Sequence, residues 1–591
     1  MSLHSPEPRA PLGWKTVLVL ALLIFSYLFI NTAWVAEDAY ITFRSVDQLL
    51  AGNGPVWNLG ERVQVYTHPL WYGLLALTTG LGLPSYWGAL LLSGLCLIGV
   101  LALLFHLARR LERSVSKGNA SEATGRNRTA SLLLGLLLLL SLSRAFIDYS
   151  SSGLENPLLH LLLLAYLAVY LSDQPPAKRF ALTTFIYGLL FLTRPDGIIL
   201  VTPTSIYLWL QMLKARQPWL KPALLALSPA IAWELFSLIY YGSLVPNTAL
   251  AKVNLGYPAA VLHRNAVSYL LVNGQLDPLT LGLILLALLL ALTLGLRRAQ
   301  RLPLLLALGL TLQLAYLFHI GADYMLGRFL SAAALLAVVI LLLCLARTPI
   351  TPANALAPSA KRFPRWTLAG GFLLLALLFS PNYRPGLNYD NDKIIRGIAD
   401  ERGYYFQGLG LLPLLFKNEG QSLADDYRVW NQEFEGKHFI SCLVGMSSWA
   451  MPLDAQIIDP LALTDPFLAR LPAYPEARVG HYERTLPPGY IHSRVQKQNL
   501  LAAPALAALY EDVNRVTRGE ALLSGARLAA IWRLNTGHYR HIGHQIDPWD
   551  LNLRELGVSD EELQAAAQSL GSRRTACFRV IPLASFFPEA P

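Results

Sequence analysis

The chain has 591 residues, of which 54% are hydrophobic and 15% are charged, and its formal net charge at pH 7 is +10. Soluble domains usually carry about 25% charged residues, so this composition excludes a purely soluble protein, and it equally excludes intrinsic disorder. Only four cysteines are present, which excludes a disulfide-dense secreted scaffold.

The excess of positive charge would suit nucleic-acid binding, but the basic residues are placed differently. Many of them lie in short segments between apolar runs, such as Arg109, Arg110 and Arg113 after one run and Arg297 and Arg298 after another. Lysine and arginine in such loops set the orientation of membrane helices. We therefore expect the positive charge to reflect insertion of the protein into a lipid bilayer, and we expect no binding of nucleic acid.

Apolar runs recur along the first two-thirds of the chain, and examples without formal charge are Val17–Phe29, Leu132–Leu142, Leu279–Leu294 and Ala333–Leu345. About 20 apolar residues cross a bilayer as a helix, so the pattern predicts a polytopic α-helical membrane protein. Charged breaks between the runs define about eleven spans, near residues 15–35, 84–108, 130–146, 157–172, 180–193, 198–213, 222–241, 276–296, 303–319, 329–347 and 366–381.

The basic clusters alternate between connections, which predicts the orientation. Cytoplasmic loops are rich in lysine and arginine, and an odd number of spans places the N-terminus inside and the last segment outside. Residues 69–83 are apolar but too short to span, and we expect them to form a half-helix at the outer surface. The predicted location is the bacterial cytoplasmic (inner) membrane, with multiple passes and an extracytoplasmic C-terminal domain.

The composition changes after Ser380, and residues 382–591 contain charged residues throughout. We divide the chain into a transmembrane catalytic domain, residues 1–381, and a soluble mixed α/β domain, residues 382–591. In the second domain, residues 499–510 and 561–570 are expected to be helical and residues 456–458 to form a buried strand. Cys442 and Cys577 either form a disulfide, which an extracytoplasmic location permits, or remain two buried thiols.

The predicted outer loops contain nearly all the carboxylates of the membrane part. Glu37 and Asp38 follow the first span, and Asp148, Glu155, Asp196 and Asp323 lie in later outer loops. Ionisable residues at membrane depth are costly and indicate a functional site. We therefore expect a polar cavity at the outer leaflet. The cations available to this cavity are the basic side chains predicted to lie near the membrane on its outer side: Arg44, Arg62, His68, Arg194, Lys252 and Arg328.

A carboxylate beside fixed cations at the height of the lipid headgroups suits the transfer of a sugar from a polyprenyl-phosphate donor to a hydroxyl group. The carboxylate would take the proton of the acceptor as a general base, and the cations would stabilise the departing lipid phosphate. One base suffices for an inverting displacement. Since the distances between the acids are not fixed by the sequence, a retaining mechanism with two carboxylates stays open.

An ordered set of short motifs resembles a bacterial family of C-type glycosyltransferases whose best-known members are the mycobacterial terminal arabinofuranosyltransferases. The resemblance extends over nearly the whole chain and rests on the order of the motifs. They lie at residues 37–44, 52–54, 57–58, 60–63, 66–71, 152–155, 192–197, 241–248, 321–329, 397–403 and 458–466. The chain has His68, Asp196 and Ala322 where the family more often has Ser, Glu and Gly.

The resemblance implies an inverting transfer, outside the cytoplasmic membrane, from a polyprenyl-phosphate-linked sugar, which is arabinofuranose in the studied members. It places the catalytic carboxylate at Asp38, with Glu37 beside it. The substrate-binding candidates are Arg44, Tyr66, His68, Glu155, Arg194, Asp196, Asn247, Lys252, Asp323 and Arg328. We expect no cofactor and no metal ligands, although dependence on a divalent metal stays open. The acceptor is a cell-envelope glycan or a surface protein.

Two other functional classes share features with this sequence. A lipid or sugar transporter would be expected to have an internal inverted repeat and acids inside broken helices. The sequence shows no repeat between its halves, and its acids cluster at one predicted face of the membrane. A lipid-linked oligosaccharide ligase or polymerase has a similar architecture but uses a diphosphate donor. The donor therefore distinguishes the two enzyme classes.

Overall fold

The computed structural model describes residues 13–116, 122–253, 258–297, 300–346, 394–416, 438–473, 480–519, 521–544 and 581–582. We call residues 13–346 of this set the membrane part and residues 394–582 the C-terminal part. The helices of the membrane part are α1 Trp14–Thr32, α2 Ala39–Leu50, α3 Pro69–Gly80, α4 Ser85–Ser116, α5 Glu122–Ser141, α6 Arg144–Asp148, α7 Asn156–Tyr170, α8 Pro176–Thr193, α9 Thr202–Lys214, α10 Leu220–Tyr240, α11 Asn247–Val253, α12 Ala259–Leu276, α13 Pro278–Leu290, α14 Arg301–Ile320 and α15 Ser331–Ala346.

Within the described residues, six helices are long and apolar enough to cross a bilayer: Trp14–Thr32, Ser85–Ser114, Leu220–Tyr240, Pro278–Gly295, Arg301–Ile320 and Arg328–Ala346. The predicted polytopic membrane architecture is thus confirmed, whereas the number of about eleven spans stays a prediction. Ten of the predicted spans coincide with helices, and the last, 366–381, lies outside the described residues. The predicted half-helix is α3, which has 12 residues.

The helix α15 is the centre of the membrane part. All of its side chains except that of Leu345 are buried, and it packs against α13, α5, α14, α4 and α7. A helix that is apolar on every side is stable either among other helices or in contact with lipid, and α15 lies among other helices. The residues just before α15 are therefore held by a rigid element, and they include Arg328 of the predicted site.

The C-terminal part contains both helices and short strands. Its elements are β1 Ile394–Ile395, β2 Ile398–Ala399, α16 Glu401–Leu409, α17 Leu411–Phe416, β3 His438–Ile440, α18 Met446–Trp449, β4 Gln456–Ile458, α19 Tyr490–Gln496, α20 Pro504–Thr517, α21 Gly525–Asn535 and β5 Ile581–Pro582. Strand β3 pairs in parallel with β4 and antiparallel with β5, and β1 and β2 form a hairpin.

The strand predicted at residues 456–458 is confirmed as β4. The prediction for residues 499–510 was wrong in its boundaries, because α20 begins at Pro504 and continues to Thr517. Proline fits the first turn of a helix but breaks its interior, so it fixes the start. The helix predicted at residues 561–570 and the proposed domain boundary near residue 381 lie outside the described residues.

The two parts share a hydrophobic core and buried ion pairs. One apolar cluster joins Trp34 and Trp57 of the membrane part to Phe406 and Ile457 of the C-terminal part. Four ion pairs cross the same interface. Arg144 of the membrane part pairs with Asp400 (2.7 Å), and Asp148 of the membrane part pairs with Arg402 (3.0 Å). Glu61 of the membrane part pairs with both Arg494 (2.7 Å) and Arg518 (3.2 Å). The C-terminal part is therefore packed directly on the loops of the membrane part that contain the predicted site.

Candidate active site

The predicted acidic pair lies in a short buried loop between α1 and α2. The indole nitrogen of Trp34 donates a hydrogen bond to the carbonyl oxygen of Asp148 (2.8 Å). The backbone nitrogen of Ala36 donates to the carbonyl oxygen of Ser152 (2.8 Å), and α2 begins directly after Asp38. The backbone of the loop is thus fixed on both sides, which sets the direction of the two carboxylates.

Glu37 points towards the C-terminal part. Its Oε1 accepts a hydrogen bond from the backbone nitrogen of Met446 (3.0 Å). Gly445 is so close that a Cβ on it would lie 2.0 Å from the same oxygen. Burial, and after it the neighbouring charge of Asp38, raise the pKa of Glu37 to about 8. Glu37 is therefore a partly buried contact between the two parts of the chain.

Asp38 points in another direction, towards Tyr324 and Arg328. Its side chain is 20% exposed. The hydroxyl group of Tyr324 donates a hydrogen bond to its Oδ1 (3.3 Å), and Nη1 of Arg328 lies 3.6 Å from its Oδ2. A reactant can therefore reach Asp38 at the edge of a charged site.

Glu155 is the centre of that site. Nη1 of Arg194 lies 3.1 Å and Nη2 of Arg328 lies 3.4 Å from its Oε1, and Nδ1 of His68 lies 3.3 Å from its Oε2. Burial alone would raise the pKa of Glu155, but the charges of Arg328, His68 and Arg194 outweigh burial and lower it to about 2. Glu155 is therefore ionised at neutral pH and holds both guanidinium groups in place.

Arg194 has its charge compensated from two sides. Its Nε donates to Oδ1 of Asp196 (2.9 Å), its Nη1 donates to Glu155, and the guanidinium lies 4.3 Å from the centre of the Phe329 ring. The side chain is 7% exposed. Arg328 differs because it bridges Glu155 and the accessible Asp38.

His68 connects this site to α2. Its Nε2 lies 3.0 Å from the hydroxyl group of Thr42. Burial lowers the pKa of His68. The charges of Arg328 and Arg194 lower it further, whereas the charge of Glu155 raises it, and the net effect is a lower pKa.

The structure brings together six of the predicted residues, which we call the charged cluster: Asp38, His68, Glu155, Arg194, Asp196 and Arg328.

Asp323 lies beside the charged cluster in the loop that precedes α15. Its Oδ1 accepts a hydrogen bond from the backbone nitrogen of Tyr324 (2.8 Å), and its buried Oδ2 has no hydrogen-bond partner within the described part of the chain. Strand β2 fixes this loop, because the backbone nitrogen of Ala399 donates to the carbonyl oxygen of Tyr324 (2.7 Å). The C-terminal part thus positions the tyrosine that contacts Asp38.

Three other candidates contact different parts of the structure. The hydroxyl group of Tyr66 lies 3.0 Å from that of Tyr241. The side-chain amide of Asn247 donates to three backbone carbonyl groups between residues 462 and 465. Lys252 is partly buried in α11. Their substrate-binding role stays a prediction.

Arg44 is buried in the interface between the two parts. It donates five hydrogen bonds to the carbonyl oxygens of Trp57, Ser448, Met451, Pro452 and Ala455. All of its donor groups are therefore directed at the backbone. This geometry indicates that the side chain stabilises the interface.

Arg44→Met is therefore expected to lower the melting temperature of the purified protein by several degrees, because buried carbonyl groups without a donor cost about 1–3 kcal/mol each. The measurement is thermal unfolding in detergent, with Arg216→Met at an exposed arginine as the control. A normal melting temperature with weakened donor binding would favour the substrate-binding role that the sequence predicted.

Two residues in contact with the charged cluster were not selected from the sequence as site residues. They are Tyr324, which donates to Asp38, and Thr42, which contacts His68. Both lie inside motifs that carry the family resemblance, and this position is the feature of the sequence that could have identified them as site residues. Tyrosine near a membrane boundary is common without any catalytic role, so its residue type carried little information.

The arrangement is chemically suited to general-base catalysis next to a fixed positive charge. An accessible carboxylate, Asp38, lies beside the guanidinium of Arg328, and Glu155, which also pairs with Arg194, holds that guanidinium from behind. Among the described residues no group of three or more His, Cys, Asp or Glu side chains is placed to hold a metal ion. Independence from metals and cofactors stays a prediction.

Comparisons with known proteins agree with this chemistry. The family model described as the AftB family C-terminal domain matches residues 434–500. The terminal beta-(1->2)-arabinofuranosyltransferase of Mycobacterium tuberculosis is 28% identical over 85% of this chain and 91% of its own. The protein of the same name from Corynebacterium glutamicum is 33% identical over 37% of this chain and 33% of its own.

These matches confirm the resemblance that the motifs indicated. The match to the Mycobacterium tuberculosis protein covers 85% of the chain and therefore includes residues of both the membrane part and the C-terminal part. The chain is a multi-pass membrane glycosyltransferase related to the terminal arabinofuranosyltransferases.

Proposed function

We propose that the protein is an inverting arabinofuranosyltransferase that uses a polyprenyl-phosphate-linked donor at the outer face of the bacterial cytoplasmic membrane. The observation that carries this proposal is the accessible carboxylate of Asp38, 3.6 Å from the guanidinium of Arg328. The names of the two relatives support arabinofuranose as the sugar. The acceptor would be a hydroxyl group of a cell-envelope glycan or of a surface protein.

In this reaction Asp38 acts as the general base. The acceptor oxygen forms a bond to the anomeric carbon of the sugar while the bond from that carbon to the phosphate oxygen breaks. The proton of the acceptor passes to Asp38, and the electron pair of the broken bond leaves with the polyprenyl phosphate. One displacement inverts the anomeric carbon, and no second carboxylate is needed because phosphate leaves without protonation.

Arg328 would stabilise the departing phosphate, because it is the guanidinium that reaches the accessible carboxylate. Arg194 is the better candidate for a positioning residue, since Glu155 and Asp196 already occupy its donor groups. A fixed cation next to the developing negative charge needs little reorganisation during the reaction. His68 and Asp323 are then candidates for contacts with the hydroxyl groups of the sugar.

Glu37 is proposed to position the loop that carries Asp38, and not to take the proton itself. Its Oε1 accepts from the backbone nitrogen of Met446, and an amide oxygen can accept the same bond. Glu37→Gln is therefore expected to keep the transfer rate within about threefold of the original, since the geometry is retained. Initial rates of sugar transfer measure this.

Gly445→Ala is the counterpart of that variant. The added Cβ would meet Glu37 Oε1 at 2.0 Å and the Glu37 carbonyl oxygen at 2.5 Å, so the loop must move. We expect the turnover number to fall by a factor of about ten or more, because small displacements of a catalytic group are costly. A large loss in Glu37→Gln, with Gly445→Ala close to normal, would contradict the positioning role.

The outer location of the C-terminal part is supported by Cys442, which is disulfide-bonded, because structural disulfides persist outside the reducing cytoplasm. The predicted partner Cys577 lies outside the described residues. From this location the C-terminal part can cover Asp38 and provide a binding surface for the acceptor. The contacts of Glu37, Arg44 and Tyr324 with this part support an additional role in arranging the active site.

The donor decides between the proposed function and the ligase or polymerase alternative. Purified protein in lipid nanodiscs is supplied with polyprenyl-monophosphate arabinofuranose or with a polyprenyl-diphosphate glycan, together with a glycan acceptor. Consumption of the monophosphate donor, with or without a metal chelator, is the expected result. Activity with the diphosphate donor alone would overturn the proposal, and loss of activity with the chelator would overturn metal independence.

A further inference from the structure

Residues 480–482 of the C-terminal part, which we call the 480–482 segment, lie against the tyrosine that contacts Asp38. Gly480 has a φ of +79°, and a Cβ on it would lie 2.1 Å from Cδ1 of Tyr324. The ring of His481 lies 4.6 Å from the ring of Tyr324 in an edge-to-face arrangement. The segment therefore brings the C-terminal part to within one aromatic ring of the proposed general base.

The 480–482 segment is also fixed to the membrane part. Arg484, which is buried, donates hydrogen bonds to the carbonyl oxygen of Tyr482 in the segment and to that of Ala251 in α11. Burial raises the pKa of the Tyr482 hydroxyl group to about 12, and the negative charge of Asp323 acts in the same direction. The segment therefore forms a fixed wall close to Asp323.

The two carboxylate oxygens of Asp38 face different groups. Oδ2 lies 3.6 Å from the guanidinium of Arg328, which is proposed to stabilise the departing phosphate. Oδ1 accepts a hydrogen bond from the hydroxyl group of Tyr324 (3.3 Å). In an inverting displacement the acceptor attacks the anomeric carbon from the face opposite the leaving group. The acceptor therefore approaches from the side of Tyr324 and the 480–482 segment.

His481 is the residue of the segment whose side chain suits a sugar. It is partly exposed, whereas Gly480 has no side chain and Tyr482 is buried. A neutral imidazole donates one hydrogen bond and accepts another, and the hydroxyl groups of a sugar can take either role. We propose that the 480–482 segment forms the acceptor side of the active site and that His481 binds the acceptor sugar. This inference rests on the proposed function and adds an acceptor-binding residue to it.

The test measures the two substrates separately. His481→Phe keeps an aromatic ring against Tyr324 but removes both ring nitrogens, whereas His481→Gln keeps a hydrogen-bonding group. His541→Phe is the matched control, because His541 is exposed in the C-terminal part and lies outside the segment. For each purified variant in nanodiscs, initial rates give KM for the glycan acceptor and KM for polyprenyl-monophosphate arabinofuranose, and thermal unfolding gives the melting temperature.

In His481→Phe we expect KM for the acceptor to rise about three- to tenfold, the size of one lost hydrogen bond, with KM for the donor and the melting temperature unchanged. His481→Gln should recover part of this loss, and His541→Phe should match the unmodified protein. An unchanged KM for the acceptor, or equal rises for both substrates, would overturn the inference. If the unmodified protein transferred no sugar from the monophosphate donor, the proposed function itself would fail, and the two failures are thus distinguishable.

Discussion

Asp38→Asn is expected to lower the rate of sugar transfer by a factor of about 10² or more, because the amide keeps the size of the side chain but is not a base. The amide oxygen can still face the guanidinium of Arg328, and the amide nitrogen can donate a hydrogen bond to the hydroxyl oxygen of Tyr324, so the fold should be preserved. The measurement is the initial rate of transfer with saturating donor and acceptor, together with the melting temperature.

Glu37→Gln is the matched control for this experiment, since it makes the same chemical change one residue away. If the charged cluster works as proposed, the asparagine variant loses activity and the glutamine variant keeps it. Near-normal turnover by a folded Asp38→Asn protein would show that Asp38 is not the base. The general base would then have to be sought at Glu37, and the Glu37→Gln rate decides that question directly.

Arg328→Gln is expected to have the second large effect, a fall in the transfer rate of about 10²- to 10³-fold. Removal of one fixed group that stabilises developing negative charge has a cost of this size. Donor binding should weaken as well, because a guanidinium contacts phosphate more strongly than a neutral amide does. Transfer kinetics and the binding of a non-reactive donor analogue together measure both effects.

Arg194→Gln provides the contrast, because this arginine compensates two carboxylates in the interior of the site. Breaking a buried ion pair by removing one partner costs about 3–5 kcal/mol. We therefore expect mainly a lower melting temperature, with partial recovery in the double variant Arg194→Gln/Asp196→Asn. A different result would reverse these assignments. If Arg194→Gln had a normal melting temperature but no longer bound the donor, while Arg328→Gln still bound the donor, then Arg194 would be the phosphate-binding residue and Arg328 the positioning residue.

Features with a local physical cause could be predicted from the sequence. The apolar runs identified the membrane helices, because a helix needs an uninterrupted stretch of about 20 apolar residues to cross a bilayer. The strand Gln456–Ile458 was likewise predicted with its observed bounds. Six candidate residues selected for their charge at loop positions do lie together in the charged cluster. The family resemblance pointed to the same motifs.

Other features depend on contacts between distant segments of the chain. Glu37 and Asp38 are adjacent in sequence, yet the first contacts Met446, 409 residues away, and the second contacts Tyr324, 286 residues away. Arg44 has the same residue type as Arg328 but donates to carbonyl groups between residues 448 and 455. Residue type and spacing define which groups are available, whereas the role of each charge is decided by which distant backbone or side chain buries it and satisfies its hydrogen bonds.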